Sequence, residues 1–407
     1  MALQQGSVAL TQTNLHFKRL TPLEATAYLV GTNVGAAILA LPFAARHAGY
    51  GGAVLACLMA TAFSLLSHLY VAEAMLRTPA VTQLVGLFRT YLFRGRASVF
   101  YLWFLSFVTI GVAIPTLTAY VLGGAEALAA VTGISGRAAQ ALFLLPGLAV
   151  VWLGLKTTGF AQKLASIAMG MALLLLTVIS LGSRQADPAR LFIRFDGGTF
   201  LPILPVAVFT CMSQATVPEI VRGLAHEPRS IPRVIRHALL INLAFSIVVP
   251  LSVFALVPPQ EMAEVATVSW GRALGTAGFL IANCFAFFAL LTSFWGTAGA
   301  ILTNIVDLLR FPSEWHPGYR LLAFAITILP SMAIILGRLF GFVELVEAAG
   351  AVGGVLIALL PILVLRRARR FGERTPEYTV SRWIGWPVHT AMVLFYLGTL
   401  TYAALTL

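Results

Sequence analysis

Gly31-Thr32-Asn33-Val34-Gly35-Ala36-Ala37-Ile38-Leu39-Ala40-Leu41-Pro42 lies inside the first apolar stretch of the chain. A membrane helix has no reason to place Gly-Thr-Asn-Val-Gly at mid-depth unless its backbone opens there. Unpaired N–H and C=O groups are costly in lipid, so unwound backbone survives only where it lines a cavity or holds a ligand. Secondary transporters bind substrate and ion at such breaks. The segment therefore predicts transport.

Composition agrees. Of 407 residues, 59% are hydrophobic and 10% charged, and the mean hydropathy is +0.90. This excludes a soluble fold and predicts a polytopic, all-α membrane protein. The net charge of +12 does not indicate a nucleic-acid partner, because the basic residues sit in short loops between apolar runs. Cys57, Cys211 and Cys284 fall within apolar segments without metal or disulfide spacing and read as small apolar filler.

Eleven spans are predicted near residues 22–45, 50–76, 98–122, 138–155, 160–182, 200–224, 233–257, 272–308, 318–337, 341–365 and 384–406. The eighth is too long for one perpendicular crossing and should tilt or protrude. With the N-terminus inside, 20 of the 27 Lys and Arg residues fall on the cytoplasmic side. These are Lys18, Arg19, Arg77, Arg89, Arg94, Arg96, Lys156, Lys163, Arg222, Arg229, Arg233, Arg236, Arg310, Arg320, Arg366, Arg367, Arg369, Arg370, Arg374 and Arg382. Arg46, Arg137, Arg184, Arg190, Arg194, Arg272 and Arg338 fall outside. The bias predicts a cytoplasmic N-terminus and, with an odd span count, an external C-terminus. No signal peptide precedes the first span, which should itself direct insertion. The short termini suggest a bacterial inner membrane.

The sixth span carries a second interruption. A polar run from Thr210 to Thr216 crosses its middle and Pro218 follows. Proline is favoured in the first helical turn, so one half-helix should end near Thr210 and the other begin near Thr216. Spans one and six head two five-span blocks, 21–182 and 200–365. An odd block size sets the copies in opposite orientation, the inverted repeat with matched broken helices. A tail, 1–20, a basic loop, 366–383, and an eleventh span, 384–407, complete the division.

Three elements resemble the amino acid/polyamine/organocation superfamily. They are the Gly31–Pro42 segment; Pro205-Val206-Ala207-Val208-Phe209 with Val217-Pro218 and the loop Pro228-Arg229-Ser230-Ile231-Pro232-Arg233; and Phe287-Phe288-Ala289-Leu290-Leu291-Thr292-Ser293-Phe294-Trp295-Gly296. Within it the chain is similar to the bacterial tryptophan/tyrosine permeases and the amino acid/auxin permeases. The resemblance implies the LeuT-type five-plus-five fold. Aromatic permeases often carry a His where this chain has Gln214, which leaves substrate identity and proton handling open.

A zwitterionic amino acid needs donors for its carboxylate and acceptors for its ammonium, and an opened helix offers both. The carboxylate is expected at the amides of Val34, Gly35, Ala36 and Ala37. The ammonium is expected at carbonyls near Thr32, Phe209 and Thr210, with Asn33 also in the break. The substrate side chain should point toward Thr210, Cys211, Met212, Ser213 and Gln214. Span three, with Val108, Thr109 and Val112, forms the opposite wall. Met212 beside Ser213 and Gln214 suits a medium or large neutral side chain.

Thr292-Ser293 is a candidate cation site. By the resemblance to LeuT-type sodium sites, Na⁺ would be held by Gly31, Val34, Ala289, Thr292 and Ser293. Alternatively the hydroxyls bond back to their own helix. Proton-coupled relatives carry similar pairs, so the coupling ion is H⁺ or Na⁺, with no other cofactor expected.

Ionisable groups at membrane depth are functional candidates. Glu219 is either paired with Arg222 at a helix start or a proton acceptor or gate. Glu24 and Asp307 are candidate gate partners of basic loops. Glu73 and Arg77, four apart, read as a surface pair, and Glu344 and Glu347 as gating or water-facing acids. His68 reads as a packed, hydrogen-bonded histidine, with a proton relay as the alternative. Arg366, Arg367, Arg369 and Arg370 read as anchors at anionic headgroups.

The expected function is import of a neutral amino acid, aromatic ones included, by a protein embedded in lipid. A monomer is expected, with an oligomer left open. An amino acid sensor without net transport is the alternative. A membrane transferase would need acid pairs or His/Asp constellations the sequence lacks, and an ATP-driven pump would need a G-x-x-x-x-G-K-[ST] loop.

Overall fold

The computed structural model describes residues 19–80, 82–92, 98–192, 197–337, 340–381 and 384–406. The tail up to Lys18 and the basic residues Arg94, Arg96, Arg194, Arg338 and Arg382 lie outside them, as do the side chains of Val108 and Thr109.

The chain is helical throughout. Span one is α1 (Pro22–Asn33) and α2 (Ala36–Ala44), bent by 43°. Its entry is fixed locally: Thr21 and Glu24 form a reciprocal capping box around Pro22. Span two is α3 (Gly49–Leu76), and a short helix, α4 (Leu84–Leu92), runs before span three, α5 (Ser98–Thr132). Spans four and five are α6 (Gly136–Leu153) and α7 (Leu155–Gly182). They turn on Gly154 alone, whose φ of +85° L side chains rarely adopt. After α8 (Gly197–Phe200), span six is α9 (Ile203–Phe209) and α10 (Val217–Gly223). Span seven is α11 (Ile231–Leu256).

The predicted run 272–308 is two elements, α12 (Ala266–Ala273) and α13 (Gly275–Leu308). Gly275, at φ +74°, breaks the helix between them. Span nine is α14 (Pro317–Gly337). Span ten joins α15 (Phe342–Gly353) and α16 (Leu359–Phe371) through a π-helical turn, Gly354–Ala358, and α17 (Trp386–Thr406) is span eleven. Among the described residues ten helical segments are long and apolar enough to cross a membrane, and eleven if the bent α1/α2 pair is one span.

Burial sorts the spans. The apolar windows of α6, α7, α14 and α17 are only 22–28% buried, against 56–72% for the other six long segments. The first group therefore forms the lipid-facing rim. Within the rim α13 packs against α1, α5, α7 and α12, so the break in span one faces the middle of span eight.

Candidate functional site

The break in span one exists because span eight approaches too closely for a continuous helix with side chains. A methyl group on Gly35 would run into the Ser293 side chain. The Ser293 hydroxyl shares its proton between the carbonyls of Gly31 (3.0 Å) and Val34 (3.1 Å). The opening leaves backbone groups without backbone partners. Among the described residues no backbone acceptor takes the amide of Gly35, and the amides of Ala36 and Ala37 in the first turn of α2 and the carbonyls of Thr32 and Asn33 in the last turn of α1 have no partner within their own helices. Asn33 Nδ2 is buried and also unpartnered. The amides begin α2, where the helix dipole is positive, and the carbonyls end α1, where it is negative. Donors for a carboxylate and acceptors for an ammonium thus lie a few residues apart. One expectation is corrected: the Val34 amide is not free, because it closes on the Val30 carbonyl at 2.8 Å.

The five oxygens proposed as a cage fall into two hydrogen-bonded groups, Ser293 Oγ with the Gly31 and Val34 carbonyls and Thr292 Oγ1 with the Ala289 carbonyl. Thr292 Oγ1 donates within its own helix, to Phe288 O (2.9 Å) and Ala289 O (3.0 Å), while Ser293 reaches across to span one. The donor set is all oxygen, as a hard monovalent cation prefers. Sequence reasoning missed Gln162 of span five. It is fully buried, donates from Nε2 to the Thr292 carbonyl at 2.9 Å, and leaves its own Oε1 without a partner. Gly31 and Gly296 make room for it, since an added methyl on either would press on its side chain. A lone amide in an apolar span was the available signal.

The span-six linker follows the predicted boundaries, but its side chains divide differently. Cys211, Ser213 and Gln214 turn to span two, not toward span three. Ser64 Oγ donates to the Cys211 carbonyl (2.6 Å) and accepts from Gln214 Nε2 (3.2 Å). Cys211 Sγ lies 3.3 Å from Thr61 Oγ1. Ser213 Oγ lies 2.8 Å from His68 Nε2. Only Phe209 and Met212 turn the other way. Phe209 stacks on Tyr120 of span three with centroids 6.4 Å apart. Met212 borders Gly353 in span ten, next to Val112 and just before the π-helical turn.

The carbonyls of Phe209 and Thr210 are not free for an ammonium either. Met212 N donates to the first (3.2 Å) and Asn242 Nδ2 to the second (2.9 Å). Two more hydroxyls are internal, Thr32 Oγ1 on Tyr28 O and Thr210 Oγ1 on Ala207 O, each at 2.7 Å. The side chain of Thr109 lies outside the described residues.

Toward the ends of the spans that carry the basic loops, Glu219, Arg222 and Glu314 form a buried ion network. Glu219 pairs with Arg222 in the first turns of α10, and Arg222 bridges to Glu314 at 3.0 Å. Gln83 (3.0 Å) and Thr303 (2.7 Å) donate to the other Glu219 oxygen. Arg320 holds the Glu314 carbonyl at 2.8 Å and those of Val151 and Trp152 at 3.0 and 2.6 Å. Glu24 pairs with Lys156 at 2.7 Å, joining the starts of spans one and five.

Asp307 differs from expectation: it accepts from Thr82 Oγ1 (2.9 Å) and the Gln83 amide (2.8 Å), with no ion pair among the described residues. The Glu73–Arg77 pair is not a surface pair, because Glu73 is fully buried and also bound by Arg369 at 2.8 Å. Glu344 caps its own helix by accepting from Gly341 N at 3.0 Å.

Two half-broken spans, a polar centre between them and a closed ion network at one end define a polytopic membrane transporter of the LeuT type. The chain belongs to the tryptophan/tyrosine permease family, whose model matches residues 20–403. It is 24% identical to a tryptophan-specific transport protein of Haemophilus influenzae, over 84% of this chain and 86% of the relative. It is 25% identical to one of Pseudomonas aeruginosa, over 93% of each. The crystal structure of MhsT in complex with L-phenylalanine superposes with a TM-score of 0.68 at 14% identity, covering 96% of this chain and 99% of that one.

Proposed function

We propose that this chain is a secondary active importer of a neutral aromatic amino acid, tryptophan foremost, working by alternating access. The observation that carries the reading is the break itself, which sets the unpartnered Gly35 amide and the first-turn amides of α2 beside the last-turn carbonyls of α1 at Thr32 and Asn33. A zwitterion can satisfy both sets at once, whereas lipid can satisfy neither. The apolar wall of Tyr120, Phe209, Met212 and Val112 supports a large, flat side chain. The names of the tryptophan-specific relatives support the same substrate.

The transporter is a monomer in a bacterial inner membrane, N-terminus cytoplasmic and C-terminus outside. Residues 21–182 and 200–365 act as the two inverted repeats, with the 366–383 loop and an eleventh span following. On this orientation the Glu219–Arg222–Glu314 network is the inner gate, braced by Glu24–Lys156 at the base of span one. An ion gradient, H⁺ or Na⁺, drives uptake. If Na⁺, the oxygens of Gly31, Val34, Ala289, Thr292 and Ser293 would hold it by replacing their mutual hydrogen bonds.

Uptake of radiolabelled tryptophan, tyrosine and phenylalanine into proteoliposomes, under an imposed Na⁺ or pH gradient, tests this. Gradient-driven tryptophan uptake is expected. Its loss in Thr292→Ala/Ser293→Ala under Na⁺ alone assigns the cage to Na⁺, and uptake driven by pH alone assigns the coupling to H⁺. Saturable binding with no accumulation under either gradient overturns the transporter reading in favour of a sensor.

A further inference from the structure

The end of span ten carries Arg366, Arg367, Arg369 and Arg370 within two helical turns, and the four have different surroundings. Arg369 is taken: its Nε and Nη2 donate in parallel to the two oxygens of Glu73. The other three have no carboxylate in ion-pair range among the described residues. Instead they line a cavity of about 450 Å³ together with Phe371. Arg366 lies over the Trp386 ring at 5.0 Å and Arg370 over Phe371 at 5.2 Å. A guanidinium stacked by its face keeps its N–H edge free for a planar or tetrahedral oxyanion. Arg367 donates to the Tyr91 carbonyl at 3.4 Å, which places the end of α4 against the same arginines.

We propose that this cavity binds the headgroup phosphate of one anionic phospholipid, with Arg366, Arg367 and Arg370 as donors. The pattern along the helix argues for a lipid rather than a soluble phosphate. Leu363, 50% exposed, stands one turn before Arg366 and Arg367, and Arg370 stands one turn beyond. One exposed stripe of α16 therefore runs from apolar to cationic, in the order of an acyl chain and its headgroup. Trp386, 69% exposed, flanks the cationic end from the start of span eleven, where aromatic rings mark the membrane–water boundary. Clusters of basic residues immediately beside a span attract anionic lipid. Here three of the four arginines, Arg366, Arg367 and Arg370, line one open pocket and have no carboxylate in ion-pair range among the described residues.

The test is native mass spectrometry of the full chain in detergent, titrated with phosphatidylglycerol and with phosphatidylcholine. Wild type should retain one tightly held phosphatidylglycerol and no comparable phosphatidylcholine. Arg366→Gln/Arg367→Gln/Arg370→Gln should weaken that site on the order of a hundred-fold, at about a five-fold loss per arginine. Arg229→Gln/Arg233→Gln/Arg236→Gln, the same change of charge at another basic loop, should leave it in place. If the first triple variant fails to fold, Arg370→Gln alone should still show its single-residue loss. Equal weakening in both triples, or none in Arg370→Gln, would overturn the proposal. So would displacement of the lipid by millimolar glycerol 3-phosphate, which would make the site a soluble-phosphate site.

Discussion

His68 Nε2 lies 2.8 Å from Ser213 Oγ, while His68 Nδ1 lies 2.8 Å from the Ser64 carbonyl. A carbonyl has no proton to give, so Nδ1 carries the ring proton and Nε2 accepts from Ser213. The histidine is thus a hydrogen-bonded strut between span two and the bare linker of span six. Thr61, Ser64 and His68 stand on one face of α3 and hold Cys211, Gln214 and Ser213 in turn. Span two is therefore tied to the span-six linker at three successive positions.

The strut predicts a coupled pair. His68→Phe removes an acceptor from a buried hydroxyl and should destabilise the protein by roughly 2–3 kcal/mol. Ser213→Ala should relieve part of that loss, leaving a coupling on the order of 1 kcal/mol in a double-mutant cycle. Thermal unfolding of the four proteins in one detergent measures it, and KM for uptake should rise in His68→Phe with surface expression held equal. Strict additivity of the two substitutions would mean that the contact does not hold the linker.

Gly35 supports a second prediction. A methyl there meets Ser293, which is itself fixed by two carbonyls of span one. Overpacking of this kind commonly costs 1–3 kcal/mol, about a five- to 150-fold effect on an equilibrium. Here it falls on the binding backbone, so Gly35→Ala should cut uptake at least about five-fold. Gly51→Ala, where an added methyl meets nothing, is the matched control and should transport normally. Normal uptake by Gly35→Ala would show that the break tolerates a side chain and does not depend on this approach.

Both breaks were legible because each sets polar or small residues inside a long apolar run. Span six shows its second half-helix by Pro218 as well. The direction of the linker side chains was not legible, because a segment without helical or strand period carries no face rule. Cys211, Ser213 and Gln214 bond to span two, whereas Phe209 stacks on Tyr120 of span three and Met212 borders Gly353 and Val112. The inner network was half legible. Glu219 and Arg222 share a helical turn, but Glu314 comes from the connection after span eight, and only the fold brings it 3.0 Å from Arg222. Gly275 was unreadable for a different reason: a glycine inside an apolar run looks like any small packing residue until its φ is seen.

The network itself predicts an asymmetry. Arg222→Met strands two buried carboxylates and should cost roughly 3–5 kcal/mol. Replacing all three charges by Glu219→Gln/Arg222→Met/Glu314→Gln should recover much of that, since no uncompensated charge remains. If the network closes one end of the pathway, the triple variant should fold yet leak preloaded tryptophan from proteoliposomes faster than wild type. A triple variant that folds and holds its substrate as tightly as wild type would make the network structural.

Glu73 anchors the basic loop after span ten and supports the last prediction. Its two oxygens accept from Arg77 (2.9 Å), from Nε and Nη2 of Arg369 (2.9 and 2.8 Å) and from the Val380 amide (2.7 Å). Spans two and ten and the segment before span eleven therefore meet at one buried carboxylate. Glu73→Gln keeps the shape but removes the charge facing two guanidinium groups, and should destabilise by roughly 3–5 kcal/mol. Arg369→Lys keeps the charge but cannot engage both oxygens in parallel, and should cost less, on the order of 1–2 kcal/mol. Limited proteolysis between residues 372 and 381 reads the same event locally: cleavage should speed up in Glu73→Gln well before global unfolding. Equal protection of that segment in wild type and Glu73→Gln would show that the loop is held by something other than this carboxylate.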